Sequence, residues 1–299
     1  MSAKAGAPIR HTRLETDDPE RHRPVWIDVW HPAVTTGLCP AVVLSPGAFG
    51  APRNYAWLAE DLARHGYLVA GVCHFGESFD YGAGTVDPAA AVRHHERPRD
   101  CSFAIDQLLA RFCGLIDPAR IGALGHSSGG ATAIVLAGGR LNPTAMATYC
   151  AHADARVDRG CAYAAIGGAT DALADLSPTS RRDARVRAVV ALDPALGPGF
   201  DPDSLAAIAI PVQIVAAIDN DFLPFEPHAG RLQRLIPRAS LIRLERGEGH
   251  FVFLNQEQST LEVHGIALYR DRAGVDREDV HARVAAAVRQ FFASSLRKP

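Results

Sequence analysis

The chain lacks an excess of either charge. Its 31 Lys and Arg stand against 33 Asp and Glu over 299 residues, so no global field recruits nucleic acid or acidic lipid. It lacks any apolar run near the roughly 18–20 residues that a membrane span needs. The segment MSAKAGAPIRHTRLETDDPERHRP (1–24) lacks the apolar middle region of a signal peptide, which points to a cytoplasmic address. A C-x-x-C pair is also missing. The six cysteines, at 39, 73, 101, 113, 150 and 161, form no metal-ligand spacing with histidine, so no metal site is expected. Cys73 and Cys101 read as small core residues. Cys150 and Cys161 flank a loop that a disulfide could close, but without a secretion signal reduced thiols are expected. There is no G-x-G-x-x-G, no Walker lysine, no repeat, no low-complexity tract and no linker.

What is present is a soluble, globular composition, 47% hydrophobic and 21% charged, long enough for one large α/β domain. PVWIDVW (24–30) alternates like a half-buried strand. PAVVLSPGAFG (40–50) is a β-branched run stopping at Ser-Pro-Gly, and YAWLAEDLARHG (55–66) follows with helical spacing and Gly66 as its C-terminal stop. Further strands are expected at 67–76, 120–125, 186–193, 211–219 and 240–245, and further helices at 99–114, 128–139, 228–237 and 277–296. Residues 140–185 read as an excursion of loops and short helices. Strands alternating with helices imply right-handed crossovers and a mostly parallel sheet covered on both faces. One domain over 1–299 is the expectation.

The chemistry concentrates in RIGALGHSSGGATAIVLAGG (120–139). Gly125-His126-Ser127-Ser128-Gly129 matches Gly-x-Ser-x-Gly, with a strand before it and a helix after it. The chain must turn sharply there, and flanking glycines let strand and helix backbones approach. Ser127 is thereby pushed out at the carboxyl edge of the sheet, where α/β folds bind ligands. A glycine-rich phosphate turn is the bland alternative. Ser128 as nucleophile would lack the preceding glycine in register; its N–H is the better candidate for an oxyanion donor.

A serine hydroxyl needs a base, and His250, in the glycine-rich GEGHF after the last strand, is the candidate. His228, His264 and His281 are expected on the solvated surface. Three carboxylates compete to orient His250: Asp193 at the end of VVALDPALG, and Asp219 and Asp221 after PVQIVAA. The second oxyanion donor is expected from LSPGAFG, as the Ala48 N–H. Phe49, His126 and Phe251 are expected in the substrate pocket, with walls from 140–185 and from HFGESFDYGAG (74–84).

Three blocks then resemble a known family: PAVVLSPGAFGAPRNYAWLAEDLARHGYLVAGVCH, RPRDCSFAIDQLL…LIDPARIGALGHSSGGATA and IPVQIVAAIDNDFLPFEPHAG…GEGHFVFL. Together they resemble the dienelactone-hydrolase-like and platelet-activating-factor-acetylhydrolase-like branch of the α/β-hydrolases. The resemblance implies an α/β-hydrolase fold and a serine esterase that needs no cofactor and acts on a small or medium ester through an acyl-enzyme. Dienelactone hydrolases use a cysteine nucleophile, so that activity is not implied. The Ser-Pro-Gly turn also resembles bacterial cutinases and polyester hydrolases. In those relatives the acid sits nine residues beyond the strand's proline, which counts from Pro211 to Asn220. The acetylhydrolase-like branch carries it in a Leu-Asp like Leu192-Asp193, so Asp193 leads, Asp219 follows and Asp221 is third. The same residues would serve an acyltransferase, a thioesterase or an amidase, and a non-catalytic binding protein could keep the fold. The walls carry no cationic cluster, which suits a short-acyl or aromatic ester.

Overall fold

Uninterrupted burial is what first marks the centre of the molecule. In a computed structural model describing residues 7–164 and 180–297, the strands Cys39–Ser45 (β4), Leu68–His74 (β5) and Val212–Ala217 (β8) are buried at every position. Such strands need cover on both faces, which is why they read as continuous apolar runs. Around them, Ile9–Leu14 (β1), Asp17–Asp18 (β2), Arg23–Pro32 (β3), Ile116–His126 (β6), Val186–Leu192 (β7) and Ala239–Leu244 (β9) complete a sheet in the order β1-β3-β5-β4-β6-β7-β8-β9, with β2 paired to β3. From β5 to β9 all neighbours are parallel. The β1 and β3 pairings are antiparallel.

Helices cover the two faces. Glu96–Arg111 (α2) and Ser128–Ala137 (α3) bury Cys101, Ile105, Ile134 and Leu136 against one side of the sheet. Ala56–Arg64 (α1) and the last helix, Arg277–Ser295, bury Leu58, Leu62, Val284 and Phe292 against the other. The architecture is a mostly parallel sheet between two helical layers, an α/β-hydrolase-type fold.

One topological fact positions the site. The chain goes from β4 to β5 on one side, then returns over β4 to β6 on the other. The carboxyl ends of β4 and β6 therefore lie side by side, with Ser45 paired to Gly125. Where strand order reverses in this way, the loops diverge and leave a crevice.

Several expectations need adjustment. The strand at 9–14, within the stretch read only for a leader, forms the sheet's edge. The helix expected at 228–237 is a wide π-type turn over Glu226–Gly230 followed by a short helix, Arg231–Leu235; Pro227 lies in that turn and leaves no N–H for a regular ladder. The described part of the 140–185 excursion holds Pro143–Ala151 (α4), a 3₁₀ turn at Ala153–Val157 and the single-turn helix Cys161–Ala164 (α5). Residues 165–179 lie outside the described residues. Cys150 and Cys161 are joined in a disulfide with Cα atoms 5.5 Å apart, which corrects the expectation of reduced thiols: both lie on segments folded back on each other. Cys73 and Cys101 are free and buried. Among the described residues, no helix is long and apolar enough to cross a membrane.

Candidate active site

Ser127 is the link between β6 and α3, and its backbone is held in a conformation that L-residues avoid (φ 55°, ψ −120°). Such a conformation costs on the order of 1–3 kcal/mol and persists only when the surroundings impose it. They do. The Ser127 N–H donates to the Leu192 carbonyl (3.0 Å), and its own carbonyl accepts from Ala131 (3.1 Å) and Ala195 (3.0 Å). A side chain at Gly129 would collide with the Ser45 carbonyl, and one at Gly125 with the Gly129 carbonyl. The close approach of β6, α3 and β4 therefore needs glycine at both places.

Asp193 lies one strand over, at the end of β7, also at positive φ (43°) and followed by proline. His250 opens a 3₁₀ turn (His250–Phe253) after β9. The two meet: His250 Nδ1 donates to Asp193 Oδ2 at 3.0 Å, both side chains being almost wholly buried. Asp193 Oδ1 accepts the Ala217 N–H (3.1 Å), and Asn220 Nδ2 donates to Asp193 Oδ2 (2.6 Å). Of the rival carboxylates, Asp221 accepts the backbone N–H of His250 (3.0 Å) and stands near Arg272, so it fixes the turn and not the ring. Asp219 is exposed. Phe222 stacks on the imidazole (centroids 5.1 Å apart, planes 12° apart).

Burial pushes the His250 pKa down to about 3, so the imidazole is neutral at neutral pH. Burial raises the Asp193 carboxyl, against the Ala217 N–H that favours its charged form. Neutral His250 with a proton fixed on Nδ1 leaves Nε2 as an acceptor, the state a general base needs.

His126 lies next to Ser127 and is already engaged on both sides of its ring. Its Nε2 donates to the His250 carbonyl (2.9 Å), because a carbonyl can only accept. Its Nδ1 then accepts from the Tyr55 hydroxyl (2.9 Å), which itself accepts the Gly47 N–H (3.0 Å). Burial keeps His126 neutral. This buried line ties the loop after β4 to the turn that carries His250. His126 lines the cavity, and both of its ring nitrogens are already used.

Ser127, His250, Ala48 and Ser128 all face one cavity of about 630 Å³, as do Phe49 and Phe251. That volume is within the usual range for small-molecule sites. Phe79 of the 74–84 loop, Met146 of α4 and Tyr163 of α5 also line it. His228, expected on the surface, is buried in the cavity wall: its Nδ1 accepts the Gly197 N–H (3.2 Å) and its Nε2 donates to Asp158 (2.7 Å). The segment carrying the disulfide is thereby fastened to the body. His281 is half-buried, stacked on Trp57 with centroids 3.8 Å apart, and donates to the Val252 carbonyl. His264 is exposed. A grouping of Asp28, Cys73 and Asp80 could in principle hold a cation. Arg13 pairs with both carboxylates and burial pushes the thiol up to about 12, so the donor set is that of an ion-pair cluster.

The sequence reading missed Tyr55, Asp158, Asn220 as a donor, Phe222 and His228. Only Asn220 left a trace, as an amide at the position where the resemblance to cutinases implies an acid. The others are set by contacts 28 to 71 residues apart in the chain.

Comparison with protein families and with curated proteins finds no match. Among solved structures, the ferulic acid esterase from Streptomyces cinnamoneus is similar to this chain. It aligns with a TM-score of 0.67 at 21% identity, covering 100% of this chain and 93% of that one. At that identity the likeness shows the fold, an α/β-hydrolase-type sheet with its helical layers.

Proposed function

We propose that this chain is a serine carboxylic-ester hydrolase working through an acyl-enzyme. Ser127 is the nucleophile, His250 the base, Asp193 its orienting acid, and the Ala48 and Ser128 N–H groups the oxyanion donors. The observation that carries the reading is that His250, held by Asp193, lines the same cavity as Ser127. Among the described residues, neither the Ala48 nor the Ser128 N–H has an acceptor, as donors kept for a substrate oxygen must be.

In the first half-reaction His250 Nε2 takes the Ser127 proton as Oγ bonds to the ester carbon. The carbonyl oxygen becomes an oxyanion held by the two N–H groups. Collapse breaks the bond to the alkoxide, which leaves with the proton from His250. In the second half, His250 takes a proton from water and the hydroxide attacks the acyl carbon. The Ser127–acyl bond breaks, the acid departs, and Oγ recovers its proton. The site asks nothing of a cofactor in these steps.

The wall offers Phe49, Phe79, Tyr163, Phe222 and Phe251 to the substrate, which suits an aromatic or short-acyl ester. The similar solved structure, a ferulic acid esterase, is in keeping with an aromatic acyl group. The three sequence blocks resemble the dienelactone-hydrolase-like and acetylhydrolase-like branch, which is in keeping with the same chemistry. The test is hydrolysis of p-nitrophenyl acetate, butyrate and longer esters beside aryl esters, with Ser127→Ala as control. Turnover in wild type and none in the variant is expected, together with fluorophosphonate labelling at Ser127. Full activity in Ser127→Ala would end the proposal.

A further inference from the structure

Behind the loop that follows β4 lies an arginine with no access to solvent. Arg97, on α2, is 1% exposed and ranks among the largest fully buried side chains. Each of its five N–H donors has an acceptor. Nε and Nη2 clasp the two oxygens of Glu77 (2.9 and 2.6 Å). Nη1 reaches the Ser45 hydroxyl (3.3 Å) and the Pro46 carbonyl (2.9 Å), and Nη2 also reaches the Gly47 carbonyl (3.2 Å). Glu77 in turn accepts the Phe49 N–H (3.3 Å). Burying an ion pair costs several kcal/mol per ion, and apolar replacement is often neutral for stability. Stability alone is therefore a weak reason for this pair to be here.

The effect on the loop is specific. The Gly47 N–H goes to Tyr55, the Phe49 N–H to Glu77 and the Gly50 N–H to the Gly47 carbonyl (3.1 Å). With both preceding carbonyls held by Arg97, the Ala48 N–H is the one left over, and Ala48 lines the cavity. Behind Arg97 stands a second line: the Ser45 hydroxyl accepts from Arg97 and donates to His74 Nε2 (2.9 Å), whose Nδ1 donates to Asp100 (2.9 Å). It has the residue types of a catalytic triad, but Ser45 is 2% exposed and does not line the cavity.

We infer that Arg97, through Glu77 and the Pro46 and Gly47 carbonyls, is a positioning residue that aims the Ala48 N–H into the oxyanion site, with Ser45, His74 and Asp100 as its backing. The inference rests on the ester-hydrolase reading above. A donor free to turn away stabilises the ground state and the oxyanion alike; a fixed one favours the oxyanion.

The test uses the whole chain with Arg97→Lys, which keeps the charge but cannot make the five-fold grip. Three readouts matter: kcat and KM on p-nitrophenyl butyrate, inhibition by a trifluoromethyl ketone whose hemiketal oxygen mimics the oxyanion, and amide exchange at Phe49. Expected are a kcat about 10- to 100-fold lower with KM within about twofold, equal weakening of the ketone, and faster exchange. A kcat and ketone affinity within twofold of wild type, whatever the melting temperature, overturns the inference. Should Arg97→Lys not fold, Glu77→Gln replaces it; the same split at smaller size supports the inference, and unchanged kcat overturns it. If wild type hydrolyses no ester, the functional proposal has failed, and exchange at Phe49 decides the loop-holding role by itself: faster in the variant supports it, unchanged sinks it.

Discussion

Two sets of serine, histidine and aspartate occur in this molecule, and only one borders the cavity. Ser127 and His250 border a cavity of about 630 Å³, and Asp193 holds His250 from behind. Ser45, His74 and Asp100 are packed behind β4, where the serine hydroxyl is already spent between a guanidinium and an imidazole. Burial leaves the two histidines alike, since it lowers both pKa values. The acids differ. Burial raises Asp193, whereas Asp100 is drawn down to about 2, burial notwithstanding, by His74 and Arg23. Residue types and hydrogen-bond lengths therefore do not define a nucleophile. In the proposed reading, an unspent hydroxyl on a strained turn, facing a cavity lined with free N–H donors, does.

The sharpest break of that comparison is to delete each hydroxyl in turn. Ser127→Ala should cost on the order of 10⁶-fold in kcat, as loss of a nucleophile does in comparable enzymes. Ser45→Ala should cost about tenfold at most; p-nitrophenyl ester turnover reads both. A comparable loss in the two variants would mean that the lines had been assigned the wrong way round. Next in size is the acid. Asp193→Asn should lower kcat by about 10⁴-fold, since an amide can present its NH₂ to the ring and favour the wrong tautomer. Asp219→Asn should leave kcat within twofold, because Asp219 is exposed and makes no contact with His250.

The shared burial of the histidines sets a pH dependence. His74, His126 and His250 all have folded-state pKa values below the ordinary 6.5. In that interval the unfolded chain binds protons that the native chain does not, so stability is full above about pH 6.5 and falls as the pH drops. The slope is about 1.4 kcal/mol per pH unit for each group. Melting temperatures measured from pH 7.5 to 4.5 should decline steadily below pH 6.5; a flat profile would contradict neutral burial.

Smaller effects should come from the periphery. Asn220→Ala removes one donor to Asp193 and the acceptor of the Phe222 and Leu223 N–H groups. About tenfold in kcat is expected, from about 1–1.5 kcal/mol per hydrogen bond. Reduction of Cys150–Cys161 should lower the melting temperature by a few degrees, because the closed loop is short, and leave fluorophosphonate labelling of Ser127 unchanged. Loss of labelling on reduction would show that the disulfide, and not the His228–Asp158 pair alone, holds the α4–α5 wall of the cavity in place.

The local sequence was sufficient for the strand-turn-helix around Ser127, for the Ser-Pro-Gly loop and for the alternation that implies a parallel sheet. In each case the determining contacts lie within a few residues, or in a periodicity that burial imposes directly. It could not separate Asp193, Asp219 and Asp221, which lie within 29 residues of one another and all follow strands. Nor could it tell a solvated histidine from His228, or foresee a cysteine bridge across Cys150 and Cys161. Those outcomes depend on which strand ends become neighbours. The order β4-β6-β7-β8 sets Ser45 beside Gly125 and Leu192 beside Val215, and that adjacency is a property of the assembled sheet. Periodicity and turn chemistry are written in the chain; the meeting of side chains from distant elements is decided by packing, because no local signal encodes which of several carboxylates a buried imidazole will face.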